Sequence, residues 1–148
     1  MVTGDNATVD NSQVTTVALP FESPPASLRG NARTHWRRRS ADTKAVRTAV
    51  AALVRGTPFA AGGPYEHLTV TLTWAPGDRR RRDADNLYPL LKAACDALAR
   101  GPRQDWVGLE LVPDDTPRWM TKYCEIQGPD VTSELGLFLA IEPRRRAS

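Results

Sequence analysis

The chain is short of several things at once. It has only two cysteines, Cys95 and Cys124, in no C-x-x-C pair and no Cys/His cluster, which argues against a zinc site and a disulfide framework. No apolar run approaches the ~18 residues a membrane helix needs. The segment Met1 to Gln13 has neither a basic start nor an apolar stretch, so it does not read as a signal peptide. Histidine occurs only at positions 35 and 67. Lysine occurs only at positions 44, 92 and 122, although Lys and Arg together number 20. Nearly all positive charge is therefore arginine, the side chain suited to bidentate phosphate contact; arginine-rich genomic base composition would produce the same bias. The net charge of +3 is mild, so where the charge lies matters more than its sum. These absences lead us to expect a soluble, intracellular protein with no membrane partner.

With 148 residues, 41% of them hydrophobic, the chain suits one modest domain. Residues 1–13 read as a disordered leader and 143–148 as an exposed basic tail, with the domain between them at 14–142. Val14 to Pro20 reads as a first strand. Phe21 to Arg39 shows no period and reads as a long loop ending in Arg37, Arg38 and Arg39. A helix capped by Ser40 follows, with Val46, Val50, Leu53 and Val54 at helical spacing and Gly56 as its stop. Thr57 to Pro64 reads as a linker, and His67 to Trp74 alternates as a strand. A second helix begins near Asn86, a good cap, with Pro89 in its first turn and Leu87, Leu91, Ala94, Cys95 and Leu98 on an apolar face. Residues 103–117 look irregular. Arg118 to Ile126 and Leu135 to Ile141 read as strands. The expected class is α+β: a small mixed sheet of about four strands in β-α-β-α-β-β order, with two helices on one face.

The stretch Arg79-Arg80-Arg81-Arg82-Asp83-Ala84-Asp85-Asn86 carries the chemistry. Four arginines can neutralise phosphate charge. Carboxylates beside phosphate are repelled unless a cation lies between them, and a hard divalent ion held by oxygen ligands fills that role. Asp83 and Asp85, two apart in extended backbone, point the same way; a polar capping turn would have the same spacing. Lys92 and Asp96 share a helix face at i, i+4, as an ordinary surface ion pair also does. Asp114 and Asp115 make a second acidic corner between Pro113 and Pro117, or a plain surface turn.

Together, Arg79 to Leu87, Lys92-Ala93-Ala94-Cys95-Asp96-Ala97-Leu98 and Asp114-Asp115 resemble the RusA family of Holliday junction resolvases in block order and spacing. The resemblance spans residues 14–142 and is specific over 79–118; Pro24, Pro25, Asn31 and His35 are weakly similar to the family's opening loop. It implies a RusA-like nuclease domain that works as a homodimer, with four-way DNA junctions as substrate and Mg²⁺ (or Mn²⁺) as cofactor. It also implies a cytoplasmic protein of bacterial or phage origin. Carried over, the metal-binding aspartates are Asp83, Asp85 and, of the last pair, Asp115; the catalytic lysine is Lys92. Asp96, Asp114 and Asn86 then support the site, and Arg37 to Arg39 with Arg79 to Arg82 hold DNA. This chain departs from the family pattern by three extra residues around Tyr88-Pro89-Leu90, almost one helical turn of about 3.6 residues, and by a longer Arg100 to Leu111 segment. Two other functions fit the same residues: a metal-dependent nuclease for flaps or other branched DNA, and a non-catalytic basic DNA-binding module. A structural protein whose acidic corners are solvated turns is a further alternative.

Overall fold

The computed structural model describes residues 13–30, 35–100, 102–103, 106–132 and 134–144, with the side chains of 102–103 and 106–107 excepted. The elements are strand β1 (Thr15–Ala18), helix α1 (Trp36–Arg55), a short helix α2 (Pro58–Ala61), β2 (His67–Ala75), α3 (Tyr88–Ala99), the two-residue strands β3 (Pro102–Arg103) and β4 (Trp106–Val107), β5 (Met120–Ile126) and β6 (Gly136–Arg144). Short 3-10 turns occupy Ala26–Leu28 and Ala84–Leu87. The α+β class and the four-stranded mixed sheet agree with the sequence reading.

Sheet order is β1-β6-β2-β5, with β2 and β5 parallel and the other pairs antiparallel. Parallel neighbours need a long crossover, and α3 provides it. One sheet face is apolar. Val70 lies opposite Ile141, Leu72 opposite Leu139 and Trp74 opposite Leu137, and all but Trp74 are buried. The intervening Thr69, Thr71 and Thr73 are half-buried on the other face. Val46, Val50 and Val54 of α1 join the same core as Leu90, Leu91 and Leu98 of α3. Burying each Leu contributes about 1.5–3 kcal/mol.

Several boundaries differ from the sequence reading. Helix α1 starts at Trp36, not after Ser40: His35 Nδ1 accepts from the Arg37 backbone N–H at 3.1 Å. Arg37, Arg38 and Arg39 are thus helical, since arginine is a good helix former even where it leaves no apolar period. Asn86 is not the cap of α3 but sits inside the 3-10 turn. There the Asn86 N–H donates to the Asp83 carbonyl and the Tyr88 N–H to that of Asp85, so the helix entrance needs no side-chain cap. Pro89 does lie in the first turn of α3. This helix is buried almost all round rather than along one face, with Ala93, Ala97 and Ala99 also inside. The 57–64 linker contains α2, and the irregular 103–117 segment contains part of a small β3–β4 hairpin. Strand β6 runs to Arg144, so the expected tail begins later; residues 145–148, the leader's 1–12 and Asn31 lie outside the described residues. Among the described residues no helix is long and apolar enough to cross a membrane.

Candidate active site

The two acidic corners flank the crossover between β2 and β5. After β2 the chain turns through Asp78 into the arginine run, and Asp83 stands at the head of the 3-10 turn. Asp83 Oδ1 accepts from the Asp85 backbone N–H at 3.0 Å. Both carboxylates are exposed, and those of Asp85 accept no hydrogen bond from a described residue. The turn is tied to the loop before α1: the Gly30 N–H donates to the Asn86 carbonyl at 3.0 Å. A Cβ at position 30 would come within 2.9 Å of Asn86 Oδ1 and 3.1 Å of its Cα, so glycine permits that close approach.

The four arginines do not act alike. Arg79 makes two bonds to Asp130, at 2.6 and 2.8 Å. Arg82 makes two to Asp78, at 2.6 and 3.0 Å, and lies over the Trp74 ring at 4.8 Å. The guanidinium of Arg82 holds the Asp78 carboxyl well below the usual carboxylate range, helped by the Arg80 backbone N–H. Arg80 and Arg81 are exposed and make no ion pair with a described acidic residue. A cleft of about 270 Å³ opens here, lined by Arg29, Trp74, Arg81, Arg82, Asp83 and Asn86 among others. The second basic run differs: Arg38 reaches Asp42 at 3.4 Å, and Arg37 lies over Trp36 at 5.4 Å. Trp36 is 67% exposed, so it has no core role, whereas Trp74 packs partly against the core.

The other half of the site is a charge chain. Lys92 Nζ on α3 donates to Asp96 Oδ1 at 2.9 Å and to Asp115 Oδ2 at 2.7 Å. Lys122 Nζ on β5 donates to the same Asp115 Oδ2 at 2.8 Å. The side chains of Asp96, Asp115 and Lys122 are 12%, 13% and 14% exposed, and that of Lys92 is 42% exposed. Burial pushes the Asp115 carboxyl up, but the bonds from Lys122 and Lys92 outweigh it and bring its pKa to about 2. Burial likewise opposes the charge on Lys92; the bonds to Asp115 and Asp96 win and hold it above the usual lysine value. Asp114 shapes the corner instead, its Oδ1 accepting from the Thr116 N–H and hydroxyl at 2.9 and 2.5 Å. Despite the extra turn at Tyr88 to Leu90, Lys92 reaches Asp115.

Lys122 is the residue the sequence reading missed. In β5 it shares a side of the strand with Met120, Cys124 and Ile126, which pair with Leu68, Leu72 and Trp74 of β2. A lysine in phase with apolar residues is a signal that it points inward and needs a partner. Two residues along the same side, Cys124 feels the charge of Asp85: burial first, then Asp85, pushes its thiol up to about 11. Burial pushes the Cys95 thiol to about 12. Cys95 is buried and Cys124 half-buried, whereas Asp83 and Asp85 are exposed; the donors the turn offers are carboxylate oxygens, which match a hard cation in kind. Among the described residues, however, no three His, Cys, Asp or Glu side chains are grouped closely enough to hold an ion. Asp83 and Asp85 stand on one turn, and the expected third ligand, Asp115, has one oxygen bound by two ammonium groups. The lone His67 is occupied by the Arg118 carbonyl and the Thr121 hydroxyl. No family model matches the chain, and no curated protein matches it.

Proposed function

We propose that this protein is a metal-dependent endonuclease of the RusA type, acting as a homodimer on four-way DNA junctions. The observation that carries the reading is the partly buried chain Asp96–Lys92–Asp115–Lys122 beside the exposed Asp83–Asp85 turn. Burying ion pairs is a poor route to stability, because apolar residues of similar size often do as well. Four charges brought to one place from α3, the loop after it and β5 therefore call for a chemical reason.

Asp83 and Asp85 would hold the cation; Mg²⁺ commonly takes one or two protein carboxylates and completes its shell with water and phosphate. When bound, such an ion supplies an activated water and neutralises phosphate charge. Asp96 and Asp115 keep the Lys92 ammonium charged and aimed, so that it can contact the scissile phosphate. Lys122 anchors Asp115 from the strand side. Arg80 and Arg81, free of acidic partners among the described residues, bind the backbone of the arms, with Arg37 and Arg39 as a second contact. A twofold dimer suits the approximate twofold symmetry of a junction and the need for two matched nicks.

The test is a cleavage assay on four-way, flap and linear DNA, with Mg²⁺ and with chelator. Paired, ligatable nicks in the four-way junction that require Mg²⁺ are expected. Preference for flaps would turn the reading to a branched-DNA nuclease. Tight binding with no cleavage of any substrate would leave a non-catalytic DNA-binding module.

A further inference from the structure

A second cleft, of about 420 Å³, lies at the other end of the β2–β5 pair, and its lining includes Tyr65, Glu66, Pro113, Arg118, Trp119 and Arg144. The backbone fixes its place. The Glu66 N–H donates to the Arg144 carbonyl at 2.8 Å, and the Leu68 N–H to the Trp119 carbonyl at 2.9 Å, so the cleft sits where β2 and β5 begin. The Asp83 turn follows the point where β2 ends. The Ala84–Leu87 turn packs against β5 further along the strand, where Cys124 feels the charge of Asp85.

The two clefts share one composition. Each has a tryptophan with a guanidinium over its ring: Arg82 on Trp74 at 4.8 Å, Arg118 on Trp119 at 4.7 Å. Each has further arginine, Arg29 and Arg81 in one, Arg144 in the other. They differ in pairing. Arg82 is tied to Asp78. Arg118 and Arg144 make no ion pair with a described acidic residue, although Glu66 lines the same cleft. The wall is firm: the Tyr65 hydroxyl donates to the Phe59 carbonyl at 2.6 Å and its ring stacks on Phe59 at 4.8 Å. A single loop links the cleft to the charge chain. Pro113 and Arg118 line the cleft, and Asp115 between them holds Lys92 and Lys122.

Two guanidiniums with no acidic partner among the described residues, beside an aromatic surface, suit a phosphodiester with its base, the phosphate taken by arginine and the base face by the Arg–Trp pair. We propose that this cleft is a second nucleic-acid strand site, separate from the phosphate site at the Asp83–Asp85 turn. This rests on the nuclease reading and adds a second backbone contact to it.

The test measures binding of the full chain to a labelled four-way junction, and to a labelled single strand, across a salt series. In the double variant Arg118→Gln/Arg144→Gln, the slope of log affinity against log salt should fall by about one to two. Junction affinity should drop about tenfold or more, and Arg118→Lys should retain most of the slope. Both arginines are exposed, and thermal unfolding checks that the variant keeps its fold. If the double variant matches wild type at every salt concentration while Arg80→Gln/Arg81→Gln weakens binding, the second site is wrong and the nuclease reading stands. If a nucleoside monophosphate binds in a manner dependent on Arg118 and Arg144 while strand affinity is unchanged, the cleft takes a free nucleotide and the proposal is overturned. If the wild-type chain binds no DNA in any form, both fall.

Discussion

Lys92 and Lys122 donate to one and the same oxygen, Asp115 Oδ2, from a helix and a strand on either side of it. Two like charges held that close are stable only while the carboxylate stays between them. Lys122→Met should therefore leave Asp115 with one ammonium fewer and cost about 1–3 kcal/mol of stability, read as a lower urea midpoint. An unchanged midpoint would show that Asp115 needs only Lys92.

Catalysis should separate from binding. Asp83→Asn or Asp85→Asn is expected to abolish cleavage while junction affinity holds or improves, because each removes negative charge facing phosphate. Lys92→Ala should lower kcat far more than affinity, since it meets one phosphate among many. Full activity in either aspartate variant would sink the mechanism.

The charge chain has its own pH window. The Asp115 carboxyl is depressed from 3.8 to about 2 in the folded chain, so its contribution is complete above 3.8 and is lost as pH falls through about 2. Lys92 is raised above 10.5, so its contribution is complete below 10.5 and is lost as pH rises through its folded value. The melting temperatures of wild type and Asp115→Asn should differ by a constant amount at neutral pH and converge toward pH 2. A gap that persists at pH 2 would contradict the role given to this carboxylate.

The arginine run should divide into two pairs in a DNA-binding titration. Arg80→Gln and Arg81→Gln should each lower the salt slope by about one. Arg79→Gln should lower it less, because Asp130 already occupies that guanidinium. Equal effects from all four would mean that the Asp130 and Asp78 pairs open when DNA binds.

Gly30→Ala should disturb the site from a distance. The new methyl meets Asn86 atoms at 2.9 and 3.1 Å, and relieving that overlap costs about 1–3 kcal/mol. Cleavage should fall along with stability; a variant with unchanged melting temperature and rate would show that the loop yields freely.

Much of this was legible in the sequence, for physical reasons. Strands β2 and β6 alternate because one sheet face is buried, and that period appears directly in Leu68, Val70, Leu72 and in Leu137, Leu139, Ile141. The i, i+4 meeting of Lys92 and Asp96 follows from helix geometry. The start of α1 did not show, because Arg37 to Arg39 fit a helix without leaving an apolar stripe. Lys122 did not show because a charged side chain suggests solvent until its strand phase is compared with Met120 and Cys124. The pairing of Arg79 with Asp130 joins residues 51 positions apart, a partnership no local pattern encodes.

The parallel pairing of β2 with β5 has a consequence for how the molecule could be rearranged. Asp83, Asp85, Lys92, Asp96, Asp115 and Lys122 all belong to the single strand–helix–strand stretch from β2 to β5. The chain could thus be cut and rejoined elsewhere, for instance opened at the turn near Gly128 with its old ends linked, without separating any two of these groups along the backbone. β1, α1 and β6 supply the platform, while this one contiguous unit holds these charged groups together.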